Sequence, residues 1–214
     1  SPSGDELAVG TYGDGIRVFS TQDYSEVYTA GSVVINSVRY SPDGEYVAGG
    51  SRNDNVYIYE TDTYSLVETL TDAASFVNGV AFSPDGEYLA SSDNDGFARI
   101  YSTQDWSLVI TLRESTSILN DVDFSNDGRY LFGASDNGNT YAYTTADWEL
   151  RQSLSVVGGA HNTVDASDKY VAYGGDNAEA VVQSIGDWST VMTTTQPTDT
   201  INTVSLSPSG ERLV

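Results

Sequence analysis

SVVINSVRYSPDGEYVAGGSRNDNVYIYETDTYSLVETL (32–70) is followed by SFVNGVAFSPDGEYLASSDNDGFARIYSTQDWSLVITL (75–112), and the second stretch repeats the first. The turn SPDG at 41–44 returns at 83–86, as SNDG at 125–128, and as SPSG at 1–4 and 207–210. The residues after it set the period: Tyr46, Tyr88, Tyr130 and Tyr170 are spaced 42, 42 and 40 apart. Asn36, Asn78, Asn120, Asn162 and Asn202 recur in step, as do Tyr24, Tyr64, Trp106, Trp148 and Trp188. One small unit has been copied along the chain.

Each unit reads as four strands, here named a to d. In the second unit, strand a (34–40) alternates apolar and polar residues and ends at SPDG, where Pro presets φ and Gly accepts a positive one. Strand b (46–50) follows, then a tight turn at Asn53-Asp54, matched later by Asp95-Gly96 and Asn137-Gly138. Strand c (55–59) is rich in β-branched and aromatic residues, and Asp62-Thr63-Tyr64 leads into strand d (65–70). No stretch has a helical period. A 40–45 residue repeat of four short strands predicts an all-β propeller of four-stranded antiparallel blades. The repeats fall near 1–32, 33–74, 75–116, 117–158 and 159–198 of a single domain spanning 1–214, with one more strand a at 199–206. That strand is expected to pair with residues 7–11 and close five blades into a ring, although SPSGERLV (207–214) duplicates SPSGDELAV (1–9).

The V-x-F-S-P-D-G, L-A-S and I-x-Y elements of 32–70 and 75–112 resemble WD-repeat propellers, and the resemblance extends over the whole chain. It implies a non-enzymatic scaffold for protein partners. The usual Gly-His pair is missing, and Tyr59-Glu60, Tyr101-Ser102 and Tyr143-Thr144 stand where Trp-Asp would close strand c. The family's Asp–His–Ser/Thr–Trp network is therefore not expected.

Composition narrows the chemistry. The 214 residues hold 31 Asp and Glu against 9 Lys and Arg, a net charge of −22, with Lys169 as the only lysine. Such a field repels phosphate backbones and anionic membrane surfaces. The carboxylates are spread along the chain, which fits adaptation to molar salt, where a Debye length of about 3 Å screens their repulsion. With no Cys and a single His, thiolate sites and paired-imidazole sites are excluded. No G-x-S-x-G, H-E-x-x-H or P-loop occurs, and no cofactor is expected. The chain opens at Ser1 without Met or a signal-peptide pattern, as an excerpt of a longer sequence would, and its compartment is not readable.

Breaks in the repeat mark the candidate site. His161 replaces Ile35, Val77, Leu119 and Ile201, in a unit whose SPDG turn has become VDASDKY (164–170). Arg39, Ala81, Asp123, Asp165 and Ser205 share one strand-a position, and Asp121 takes the place of Ser37, Gly79, Thr163 and Thr203. In a closed ring His161, Arg39, Asp121, Asp123 and Asp165 are expected to approach the channel mouth as a polar pocket or cation site, beside the five Asn amides. The plainer alternative is a wet channel, with Asn tying loops and the recurring aromatics packing between neighbours. The expected function is a monomeric interaction scaffold using its b–c and d–a loops. The alternative is a small-ligand- or metal-binding propeller, possibly a hydrolase, working at the channel mouth.

Overall fold

A computed structural model describes residues 1–155, 159–194, 199–207 and 209–214. The repeat boundaries placed at 158 and 198 lie outside the described residues, as does Pro208 of the last SPSG turn. Strands β1 (Glu6–Gly10), β2 (Ile16–Ser20) and β3 (Glu26–Ala30) form a three-stranded sheet. The second sheet holds β4 (Ile35–Tyr40), β5 (Tyr46–Ser51), β6 (Val56–Glu60) and β7 (Leu66–Leu70). The third holds β8 (Val77–Phe82), β9 (Tyr88–Asp93), β10 (Ala98–Ser102) and β11 (Leu108–Leu112). The fourth holds β12 (Leu119–Phe124), β13 (Tyr130–Ser135), β14 (Asn139–Thr144) and β15 (Leu150–Ser155). The fifth holds β16 (His161–Ala166), β17 (Tyr170–Gly175), β18 (Ala180–Ser184) and β19 (Thr190–Thr193). All neighbours are antiparallel, and no helix occurs among the described residues. The fold is the expected all-β one, and its five sheets are consistent with a five-bladed propeller.

The a–b turns form because side chains stand in for backbone partners. Ser41 Oγ accepts from Tyr46 N (2.9 Å) and donates to Asp43 Oδ1 (2.6 Å), which also accepts from Glu45 N (2.9 Å). Gly44 then takes φ 79°, which a β-carbon would strain. In the fifth sheet the turn is two residues shorter, and Ser167 still accepts from Tyr170 N (3.1 Å).

The core lies between sheets. Ala48, Val56, Ile58 and Leu70 of the second meet Val77, Val80, Leu89 and Tyr101 of the third. Equivalent clusters join the first sheet to the second, the third to the fourth, and the fourth to the fifth. The recurring aromatics pack across the same joints: Trp106 meets Tyr46, Trp148 meets Tyr88 and Trp188 meets Tyr130, edge to face at 5.2, 5.2 and 5.6 Å. Each of these Trp residues adopts φ between 57° and 60° at its c–d turn, a left-handed conformation that the sequence reading missed.

The last segment departs from expectation. Residues 201–206 do not pair with β1 among the described residues. Leu206 bridges Leu213, and Ser205 and Val214 exchange backbone hydrogen bonds at 2.8 and 2.7 Å. The duplicated SPSG turn offers a hairpin partner a few residues away, and so short a loop closes at less entropic cost than a contact across the whole chain. Ile201, Val204, Leu206 and Leu213 thereby cover the far face of the fifth sheet.

Candidate functional site

Strand a is an edge strand, so its outward N–H and C=O groups need partners beyond its own sheet. The Asn residues supply one set. In every a–b pairing the register shifts around the Asn, so that Asn36, Asn78, Asn120 and Asn162 each sit on a bulge. A bulge turns its side chain out of the ladder. Their Nδ2 groups donate to Val77 O (3.0 Å), Leu119 O (3.1 Å), His161 O (2.9 Å) and Ile201 O (3.2 Å), each on the following repeat. The same side chains hold the residue that opens their own b–c turn. Asn78, Asn120 and Asn162 donate to Asn94, Asp136 and Asp176 at 2.8, 2.6 and 3.0 Å, while Asn36 Oδ1 accepts from Arg52 Nε at 3.0 Å. Asn202 is exposed. These amides are inter-repeat fasteners.

Side-chain oxygens supply the other set. Ser37 Oγ accepts from Val80 N (3.2 Å), Asp121 Oδ2 from Val164 N (3.1 Å) and Thr163 Oγ1 from Val204 N (3.3 Å). Asp123 Oδ2 accepts from Ala166 N (2.9 Å), and Asp165 Oδ2 from Leu206 N (2.5 Å). The carboxylates thus replace a missing strand along the inner edge. Burial raises the Asp121 pKa to about 6, against the opposing pull of its N–H donors and of the Arg39 charge. Asp123 is pushed well above the usual range, first by burial and then by Asp165, with which it shares a hydrogen bond. Two carboxyls so close oppose simultaneous ionisation, which disfavours the charged form of Asp123.

His161 does not join them. It is buried in the core at the start of β16, with Nδ1 2.9 Å from Thr140 Oγ1 and its ring 4.8 Å from that of Tyr173. Burial lowers its pKa to about 4, so it is neutral at pH 7. The expected convergence fails because His161 and Asp165 lie at opposite ends of one strand, about 13 Å apart at ~3.3 Å per residue. His161 and the Asn amides are near the b–c rim, whereas Arg39, Asp123 and Asp165 are near the a–b rim. Among the described residues no group of three or more His, Asp or Glu side chains is placed to hold a metal ion.

One charged pair escaped the sequence reading. Arg99 and Asp93 form a buried ion pair in the third sheet, and Asp93 Oδ1 also accepts from Asp95 N (2.9 Å) and Phe97 N (3.1 Å). The signal was present: they stand where the fourth repeat has Tyr141 and Ser135.

The family model described as "WD domain, G-beta repeat" matches residues 25–60, 64–102 and 106–143, more than half of the chain. The chain belongs to the WD-repeat family. Each match begins in the turn just before the outermost strand of one sheet and ends on the third strand of the next, so a WD repeat straddles two blades and ties them covalently. A search of curated proteins finds no match. WD-repeat domains are generally non-enzymatic scaffolds for contact between proteins.

Proposed function

We propose that this WD-repeat chain is a monomeric interaction scaffold that meets a protein partner on its b–c and d–a rim. One observation carries the reading. The residue opening each b–c turn changes from Tyr12 to Arg52, Asn94, Asp136 and Asp176, although an Asn fastener holds each of the last four. A fixed frame presenting varied side chains is how rigid repeat folds build recognition surfaces. The rim also exposes Tyr12 (81%) and Phe76 (43%), and Arg52 lies over the Tyr12 ring at 5.3 Å. One sector is aromatic and cationic, and the other is acidic. The a–b rim, by contrast, repeats nearly the same SPDG turn.

The net charge of −22 supports protein rather than nucleic acid or membrane as the partner. The same dispersed charge supports operation in molar salt, where apolar contacts carry affinity and charge sets orientation. Photocrosslinkable residues placed at Arg52 and at Asp136 are expected to capture one common partner from the native host, whereas one at Asp85 on the a–b rim does not capture it. Capture from Asp85 alone would reverse the assignment.

A further inference from the structure

The oxygen-to-amide pattern along the inner edge has a gap. Ala166 N and Leu206 N are met by Asp123 and Asp165 from the repeat before. The equivalent amides one and two repeats earlier are Phe124 N and Phe82 N, and the side chains in the matching positions are Ala81 and Arg39. Neither carries an acceptor. Ser83 N and Ser125 N bond inward to Tyr88 O and Tyr130 O (both 2.9 Å), so by the alternation of an antiparallel ladder Phe82 N and Phe124 N point to the open edge. A cleft of about 220 Å³ lies there, lined by Arg39, Ala81, Phe82, Asp123 and Phe124 among others.

We propose that this cleft binds a carboxylate group, which accepts from Phe124 N and meets the Arg39 guanidinium, filling the place that Asp123 and Asp165 occupy in the following repeats. Arg39 is available for this role. It donates to its neighbour's carbonyl, Val38 O (3.0 Å), and no carboxylate lies within ion-pair distance of it among the described residues. Its charge nevertheless reaches the inner edge, where it favours the ionised form of Asp121. Space comes from Ala81 of β8, which lines the cleft and is the smallest side chain at its position. Burial and the neighbouring Asp165 disfavour the ionised form of Asp123, which limits the negative charge a ligand would face. A planar, singly charged carboxylate matches the guanidinium fork and one N–H. A doubly charged phosphate would meet stronger repulsion from the acidic surroundings. The group can come from a free small acid or from an Asp or Glu side chain of a protein partner, and the experiment separates the two.

Backbone ¹⁵N–¹H spectra of the full chain would be titrated with sodium acetate and, separately, with N-acetyl-Gly-Glu-Gly-amide, against NaCl of equal ionic strength and acetamide. Saturable shifts of Phe82 and Phe124 are expected with the two carboxylates and not with chloride or acetamide. Tighter binding of acetate identifies a small-acid site, and tighter binding of the peptide identifies a side-chain receptor. Arg39→Gln is expected to weaken either about tenfold, the worth of one charge-assisted contact. Ala81→Asp is expected to abolish the shifts while raising the melting temperature, since the tethered carboxylate takes the site. Equal shifts with chloride, no saturation with either carboxylate, or unchanged binding in Arg39→Gln would overturn the proposal.

Discussion

The inner strands β8 and β12 are one repeat apart and nearly superimposable in pattern. Both are six residues long, carry the bulged Asn, and bury a Val at the same place, Val80 and Val122. Yet β8 has Gly79 and Ala81 where β12 has Asp121 and Asp123. Their sheets differ again at the b–c end, where Ser135 and Tyr141 of the fourth sheet stand at the positions of the buried Asp93–Arg99 pair of the third. The Asn positions that join one repeat to the next keep their chemistry. Positions that face a cleft or an edge change it, and a change in one repeat alters what the next can satisfy.

The buried ion pair gives the largest way to break this comparison. Arg99→Ala leaves Asp93 buried and uncompensated, with an expected loss of about 3–5 kcal/mol measured by urea unfolding. Converting the third sheet to the pattern of the fourth, Asp93→Ser with Arg99→Tyr, is expected to recover most of that loss. If the double variant were no more stable than Arg99→Ala, the two sheets would not be interchangeable at this point.

Titration separates the two edges of the fourth and fifth sheets. Asp121 has a folded pKa raised to about 6, so its contribution to stability is present below about pH 4 and is lost as pH rises to about 6. His161 has a folded pKa lowered to about 4, so its contribution is present above about pH 6.5 and is lost as pH falls to about 4. The two slopes oppose each other. Asp121→Asn is expected to gain about 2–3 kcal/mol relative to wild type on going from pH 4 to pH 7. His161→Leu should show a gain of similar size in the other direction. Parallel pH profiles for wild type and both variants would contradict these environments.

Salt acts on all repeats alike. The melting temperature is expected to rise by several degrees between roughly 0.1 M and about 2 M NaCl, as dispersed like charges are screened. A flat profile would remove the support for salt adaptation. The smallest expected effect compares two residues of one type: Asn120→Ala loses about 1 kcal/mol by removing the bonds to His161 O and Asp136, whereas Asn202→Ala loses almost nothing. Equal losses would mean that the amide contacts contribute little.

The period, the four strands per unit and the SPDG turns were legible because each rests on local chemistry: Ser and Asp closing a turn, Gly taking a positive φ, alternation along a strand. The placement of site residues was less so. Counting along strand a put Asn36 and Arg39 at one mouth, but the bulge at Asn sends its side chain toward the next repeat, and no local signal marks a bulge. His161 read as a polar intruder at an edge. It sits in the pocket of Ile35, Val77 and Leu119, and only the neighbouring Thr140 and Tyr173 show why an imidazole is tolerated there. The pairing of 201–206 depended on competition between two identical turns, which neither copy reveals alone.

The Asn fasteners also bear on how such a chain can have lengthened. Each amide reaches forward to a main-chain carbonyl, a group present whatever residue occupies the position, and His161 O serves as well as Val77 O or Leu119 O. A newly duplicated unit therefore arrives with its own connector and needs no matched substitution in its neighbour. Copying errors in the gene can add or drop a unit and leave the Asn joints intact.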